Sequence, residues 1–430
     1  MKYKKIYKKH KPTFYNFFWR SLQIFSKHGV GFFIFFISAK YLTPEVFGTL
    51  NFLMAIIALL MLFCDFGLSM AISKFVTEYN TKGSEKINSI LFSASVTSLA
   101  ISAVISALVL IAGKSVLKEN YRYVTFLLPY LFLMPLTSIV DGVYRGLKQF
   151  KSLALITSLV GVFSLAISFV LISRFYLVGA IASQNILYLL LAVSLFAFQK
   201  TLKPRFDKAV LKEVAKYAFV LGISSVAYFL YTKIDILILK QFGYIVEIGY
   251  YGIINKLFML IVFPFIILGQ VIAPNTTAYI TLKDFAEIKR KFKRYLILCI
   301  TLGLAITIFL YFALPVLLKT FLPEYHTAEF VLILNIMLAL LTFKLWGAIH
   351  TQGFIIPAGF GKITAIVTSI GGILNVIFDY VFINLLGFVG VFWVTLVIHS
   401  LNIVAITIYF YLKIKSPPDT LKPLAEQFQC

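Results

Sequence analysis

Acidic residues are scarce in this chain. Asp and Glu together number 17 against 40 Lys and Arg, and all charged residues make up only 13% of 430 positions. A soluble domain carries roughly 25% charged residues, so a water-facing surface of ordinary composition is excluded. Cysteine is nearly absent: Cys64 and Cys299 fall inside apolar runs and Cys430 is the last residue. No spacing suggests a metal site or a disulfide framework, and Cys430 is not in a prenylation box. The five histidines, His10, His28, His326, His350 and His399, are scattered. There is no phosphate-binding glycine loop, no metal-spaced His/Glu motif and no domain to hold a nucleotide. We therefore expect no catalytic residues, no metal and no cofactor, and not an ATP-driven pump or an enzyme.

What the chain has in excess is apolar sequence: 60% hydrophobic residues and a mean hydropathy of +0.92. Such a surplus must face lipid, where only helices and closed barrels satisfy their backbone groups. The apolar runs are continuous and about 20 residues long, which fits helices crossing ~30 Å of hydrocarbon better than barrel strands of ~10 alternating residues. The expected fold is all-α and polytopic. About twelve transmembrane helices are placed at 18–41, 46–70, 87–113, 121–145, 153–174, 177–199, 214–239, 248–273, 294–318, 328–349, 362–386 and 389–413. The first apolar run leads directly into further membrane helices and has no small-residue cleavage site, so it reads as a retained helix.

The formal net charge of +23 invites a nucleic-acid reading. Its distribution points elsewhere. With the N-terminus inside, about 28 basic residues fall on the cytoplasmic side and about 7 outside, the asymmetry of a multi-pass protein with both termini cytoplasmic. No nucleic-acid partner is expected. The segment 281–295 places Leu282, Phe285, Ile288 and Phe292 at helical spacing between basic residues, and reads as an amphipathic helix on the inner leaflet.

The chain echoes itself. Thr157, Ser158, Gly161, Val178 and Gly179 recur as Thr368, Ser369, Gly372, Val389 and Gly390, all 211 positions on. Lys40 and Gly48 recur as Lys240 and Gly249, at offsets of 200 and 201. A shift over six helices preserves direction through the membrane, so the halves are parallel six-helix repeats of the kind that enclose a central cavity in transporters. The expected organisation is an N-terminal lobe 1–199, a basic cytoplasmic linker 200–213, a C-terminal lobe 214–413 and a cytoplasmic tail 414–430. Pro129, Pro135, Pro264 and Pro315 lie inside expected helices, where each permits a bend.

Charges inside the bilayer cost roughly 2.5–3.5 kcal/mol on insertion scales and mark candidate sites. Asp141 precedes Arg145 by four residues and reads as a local ion pair. Asp65 reads as a capping or pairing residue at a helix end. Lys27, Lys233, Lys256, Arg20 and Lys344 are candidates for a cationic cavity that takes an anionic head group. A structural ion pair between Asp235 and Lys233 or Lys256 is the competing reading. Asp235, Asp379 and Asn375 are candidates for coupling a cation or satisfying a buried lysine.

Four motifs in order resemble one family. The stretch from Ala39 through Lys40, Thr43, Pro44 and Glu45 to Gly48 is similar to the R-x-L-G-P-E-x-Y/F-G segment of polysaccharide flippases, with Lys40 in place of the usual Arg. Asp65, Phe66, Gly67 and Leu68, followed by Ala71 and Lys74, resemble their D-x-G-L segment. Tyr231 to Asp235, continuing to Gly249, Tyr250 and Tyr251, resembles D-x-L-x-L…G-x-Y. Asn375 to Asp379, then Gly387 to Val391, resembles N-x-x-L-D…G-x-x-G-A. The family is that of O-antigen, capsule and exopolysaccharide repeat-unit flippases of the Wzx type, in the multidrug/oligosaccharidyl-lipid/polysaccharide exporter superfamily. The resemblance implies transfer of a polyprenyl-diphosphate-linked oligosaccharide from the inner to the outer leaflet of a bacterial or archaeal cytoplasmic membrane. It also implies a coupling cation, membrane lipid and other glycan assembly proteins as partners. The alternatives are an ion-coupled exporter of small molecules on the same fold and, behind it, a membrane enzyme of glycan assembly.

Overall fold

The computed structural model describes residues 2–82, 86–199 and 205–415, with the side chains of residues 2–14, 16 and 17 left aside. Residues 200–204 of the expected linker and 416–430 of the expected tail, Cys430 included, lie outside the described residues. Every described element is helical. Among the described residues, ten helices are long and apolar enough to cross a membrane. Two of them cross twice: Lys86–Gly146 contains α4 (Lys86–Leu117) and α5 (Tyr121–Gly146), and α6 (Phe150–Ala197) turns back on itself at Tyr176. That makes twelve spans, the expected fold class. The chain forms two compact units, Met1–Val226 and Ala227–Cys430, with the division inside α7 (Lys208–Thr232).

In unit 1, α1 (Lys2–Tyr41) is followed by α2 (Pro44–Asp65). Local chemistry sets that boundary: Thr43 caps the helix by accepting from the Val46 amide, Pro44 occupies the first turn and Glu45 faces the positive end of the dipole. The expected helix 46–70 is interrupted. Phe66 and Gly67 take left-handed conformations with φ of 33° and 80°, and α3 (Leu68–Thr81) starts afresh. Asp65 holds the new start, accepting from the Ser69 amide at 3.1 Å and its hydroxyl at 3.0 Å. A Cβ on Gly67 would stand 2.6 Å from the Ala218 carbonyl, so both its φ and its close approach require glycine. On α6 the small residues Gly161, Ser164 and Ser168 are buried while Leu159, Val162 and Phe163 are exposed. Small residues let helices approach, and the large apolar ones meet lipid.

Unit 2 continues from the end of α7 through α8 (Ile234–Gln241), α9 (Ile245–Thr281), α10 (Phe285–Phe321), α11 (Ala328–His350), α12 (Gly361–Leu386) and α13 (Phe388–Lys415). A π-helical turn, Thr351–Ile355, extends α11. The expected amphipathic segment is not a separate helix lying on the leaflet. It is the first part of α10, and its apolar face is taken by protein: Ile288 and Phe292 are fully buried, with the Phe292 ring about 5 Å from Trp346, Phe354 and Phe410. The expected bends at Pro129, Pro135, Pro264 and Pro315 all fall within continuous helices, as does Pro274.

The 211-residue echo has a structural meaning. The α6 turn at Tyr176 (φ 49°) corresponds to the α12–α13 turn at Gly387 (φ 64°). A Cβ on Gly179 would lie 2.0 Å from the Leu171 carbonyl oxygen, and one on Gly390 would lie 2.2 Å from that of Phe382. Both members of each pair are 211 apart (390 − 179 and 382 − 171), so the same tight helix-to-helix approach is built twice.

Candidate functional site

The break between α7 and α8 falls at Lys233, and it sets Asp235 in the first turn of a short helix, where the dipole favours a carboxylate. Asp235 is completely buried. Three neutral donors from three helices converge on it: the Tyr251 hydroxyl of α9 at 2.7 Å, the Asn375 amide of α12 at 2.6 Å and the Thr395 hydroxyl of α13 at 3.1 Å. Asp379 lies one turn beyond Asn375, is equally buried, and accepts from the same amide at 3.3 Å. Asn375 thus stands between two carboxylates. All three expected ion-coupling residues meet at one place.

Two oxygens in this cluster, Asn375 Oδ1 and Asp379 Oδ1, are buried with no hydrogen-bond donor. An unsatisfied buried acceptor costs roughly 1–3 kcal/mol, and two carboxylates in close company repel. Both costs are removed by a small hard cation or a proton, for which carboxylate, amide and hydroxyl oxygens are suitable ligands.

The cationic candidates divide between the units. In unit 2, Lys256 is within electrostatic reach of Lys233, and Lys344 is within reach of Lys233, Asp235 and His399. Lys344 also sits over the Phe258 ring at 5.9 Å. Lys233 is exposed, while Lys256 and Lys344 are half-buried. Lys233 precedes Asp235 by two residues, while Lys256 stands on α9 and Lys344 on α11, and the carboxylate cluster itself is engaged by neutral donors. In unit 1, Arg20 hydrogen-bonds Gln23, which donates to Asp141 at 3.2 Å, and Asp141 pairs with Arg145 at 2.7 Å. The expected Asp141–Arg145 pair is present, and Arg20 joins its network. Lys27 is exposed on α1, beside the contact between Ser26 and Ser158.

Sequence reasoning missed Tyr251 and Thr395 as members of the carboxylate cluster. Tyr251 was visible only as part of a motif. Thr395 carries no signal, since its hydroxyl also bonds the Val391 carbonyl one turn back, as membrane threonines commonly do. His399, stacked on Tyr231 at 3.9 Å and bonded to its carbonyl, was likewise not legible.

Comparison with known proteins agrees with this architecture. A family model described as polysaccharide biosynthesis protein matches residues 14–280, and one described as MatE matches residues 221–381. No curated protein sequence matches the chain. Among solved structures, the inward-facing conformation of a multidrug resistance MATE family transporter of the MOP superfamily superposes with a TM-score of 0.73. It is 14% identical, with 90% of this chain and 95% of that one covered. The outward-facing conformation of such a transporter gives 0.65 at 15% identity, covering 93% and 96%. A MOP superfamily transporter from Pyrococcus furiosus, whose reverse binding-pocket polarity is said to suggest a different function, gives 0.67 at 14% identity, covering 93% and 96%. At these identities the structural likeness speaks for the fold alone. The family model spans more than half of the sequence, so this chain, with a fold like that of the MOP superfamily transporters, belongs to the polysaccharide biosynthesis protein family.

Proposed function

We propose that this transporter flips a polyprenyl-diphosphate-linked oligosaccharide repeat unit from the inner to the outer leaflet of the cytoplasmic membrane by alternating access, for surface polysaccharide assembly. The observation that carries this reading is the match of the polysaccharide biosynthesis family model over residues 14–280, with Lys233, Lys256 and Lys344 placed in or between the helices of unit 2 as candidate counter-charges. A diphosphate and its sugars cannot enter hydrocarbon without losing water, at several kcal/mol per polar group. Lysines held at membrane depth supply the counter-charge, while the polyprenyl tail stays in lipid.

The carboxylate cluster supplies the coupling. A cation taken up by Asp235, Asn375, Asp379 and Thr395 draws α8, α12 and α13 together and cancels negative charge near Lys344. The lysine field toward the diphosphate then strengthens, so cation and substrate favour each other's binding, as reciprocal coupling requires. In unit 1, Lys27 and Arg20 are the separate cationic candidates of this reading. Both termini are cytoplasmic in this reading, and other glycan assembly proteins and membrane lipid are its partners.

The test is glycan export scored together with membrane abundance. A Lys27→Ala, Lys256→Ala double variant is expected at normal abundance with export lost. Full export at normal abundance removes Lys27 and Lys256 from the substrate site, and loss of abundance in both single variants makes these two structural. Reconstituted protein with imposed sodium or proton gradients identifies the coupling ion, and transport indifferent to both gradients would sink the coupling role.

An exporter of small organic cations is the second reading. It is favoured by a cavity of about 310 Å³ in unit 1, lined by Met54, Met61, Met134, Tyr130, Phe66 and Asp65. Extrusion of a lipophilic cation with no effect on glycan export would select it.

A further inference from the structure

A dense basic group stands at the turn between α9 and α10: Lys283, Lys289, Arg290, Lys291, Lys293 and Arg294. Most of these are ordinary solvated lysines and arginines at a membrane edge. Lys291 differs. It is half-buried and lines a small recess of about 20 Å³ together with Asn275, Thr276 and Tyr279 of α9 and Tyr295 of α10, floored by Ile272, Ile288 and Phe354. The volume is that of one water-sized group.

Helical spacing explains the assembly. Ile288, Lys291 and Tyr295 follow at i, i+3 and i+7 along one face of α10. The burial of Ile288 and Phe292 against the aromatic core turns that face toward α9. Glu287 is the acidic neighbour, but its tighter partner is Arg290 at 2.7 Å, leaving Lys291 at 3.9 Å. The Thr276 hydroxyl is spent on the Gly353 carbonyl at 2.6 Å, so the remaining residues of the lining that carry donor groups are Lys291, Tyr279, Tyr295 and Asn275.

Depth identifies the ligand. The uncharged run 296–318 of α10 is about 34 Å of helix at ~1.5 Å per residue, enough to span the hydrocarbon. Tyr295 and Lys291 therefore stand immediately beyond it, in the head-group layer where tyrosine collects. We infer that Lys291, Tyr279, Tyr295 and Asn275 form a binding niche for the phosphate of an anionic phospholipid head group. One phosphate oxygen enters the recess and the acyl chains run down the apolar outer surface of α10, where Leu298, Leu302 and Phe309 are exposed. The niche lies wholly within unit 2. On the proposed orientation it draws on the inner leaflet, but its chemistry does not depend on which substrate is flipped.

The test uses the full chain, purified and reconstituted in nanodiscs of phosphatidylglycerol or phosphatidylcholine, with retained lipid counted by native mass spectrometry after mild delipidation. One phosphatidylglycerol is expected to persist and phosphatidylcholine is not. Lys291→Gln and the Tyr279→Phe, Tyr295→Phe pair, which keep shape and packing, are each expected to lower retention about tenfold, the worth of a charge-assisted hydrogen bond. Lys289→Gln, whose ammonium lies over the Tyr411 ring instead, is expected to leave retention unchanged. Equal retention of the two lipids overturns the proposal, as does undiminished retention in the Lys291 and tyrosine variants. Displacement of the retained lipid by millimolar inorganic phosphate would assign the niche to free phosphate and overturn the lipid source.

Discussion

The two units share a backbone plan and differ in what they bury at its centre. In unit 2, positions 375 and 379 of α12 are Asn and Asp, and they close on Asp235 and Tyr251. Shifted back by 211, the same places in unit 1 are Ser164 and Ser168, both buried and both without a hydrogen-bond partner for the hydroxyl. Shifted back by 200, Asp235 becomes Phe35, whose ring packs on Phe47 at 4.7 Å, and by 201 Tyr251 becomes the buried Leu50. The tight turns are kept while the charges are not. A repeat that holds its helices together by backbone approach tolerates apolar or small residues at the centre. At these corresponding places one half carries a carboxylate cluster held by neutral donors and the other carries apolar or small residues.

The strongest way to break this comparison is to exchange the central residues. Asp379→Asn should leave the protein abundant but lower cation affinity by about two to four orders of magnitude, the equivalent of ~3–5 kcal/mol for removing one charge partner in a buried site. Ser168→Asp should be the harsher change for folding. With Phe35 opposite and no amide bridge, the new carboxylate is uncompensated, and membrane abundance should collapse. Isothermal titration with the coupling ion and quantitative blotting read the two effects. Normal abundance of Ser168→Asp would mean that unit 1 still contains a usable ion site.

A smaller effect tests the shared plan. Gly179→Ala and Gly390→Ala each force a methyl against a carbonyl oxygen, at 2.0 and 2.2 Å respectively. Each should cost about 1–3 kcal/mol of stability, the usual cost of overpacking. Similar losses in thermal unfolding would support equivalent turns, and a neutral result at either position would separate them. Smallest is Tyr176→Gly. A tyrosine at φ 49° carries a penalty of roughly 1–2 kcal/mol that its repeat counterpart, Gly387, avoids. The glycine variant should therefore raise the midpoint slightly, and a fall would show that the tyrosine ring contributes more than its backbone strain removes.

Much of the fold was legible because lipid acts on composition directly. Any segment that crosses hydrocarbon must be apolar over its whole length, so span number follows from runs alone. The repeat was legible because glycines at close approaches admit no substitute. The break at Phe66 and Gly67 was less so: an uninterrupted apolar pattern hides a change of direction set by a left-handed residue and an aspartate cap. The 285–295 segment shows the same limit differently. Its amphipathic period is the same whether lipid or protein takes the apolar face. The rings of Trp346, Phe354 and Phe410, far along the chain, decide for protein.

Sequence by itself therefore determined that this is a helical membrane protein of two related halves, with basic residues concentrated at one membrane face and a few charges too deep to be incidental. Hydrophobicity and charge act residue by residue, and those properties are written locally. Only the tertiary structure decided that Asp235 is held by neutral donors 16, 140 and 160 residues away. Hydrogen bonds and Coulomb forces act over a few ångströms of space, and separation along the chain leaves no periodic trace of which distant groups packing will bring together.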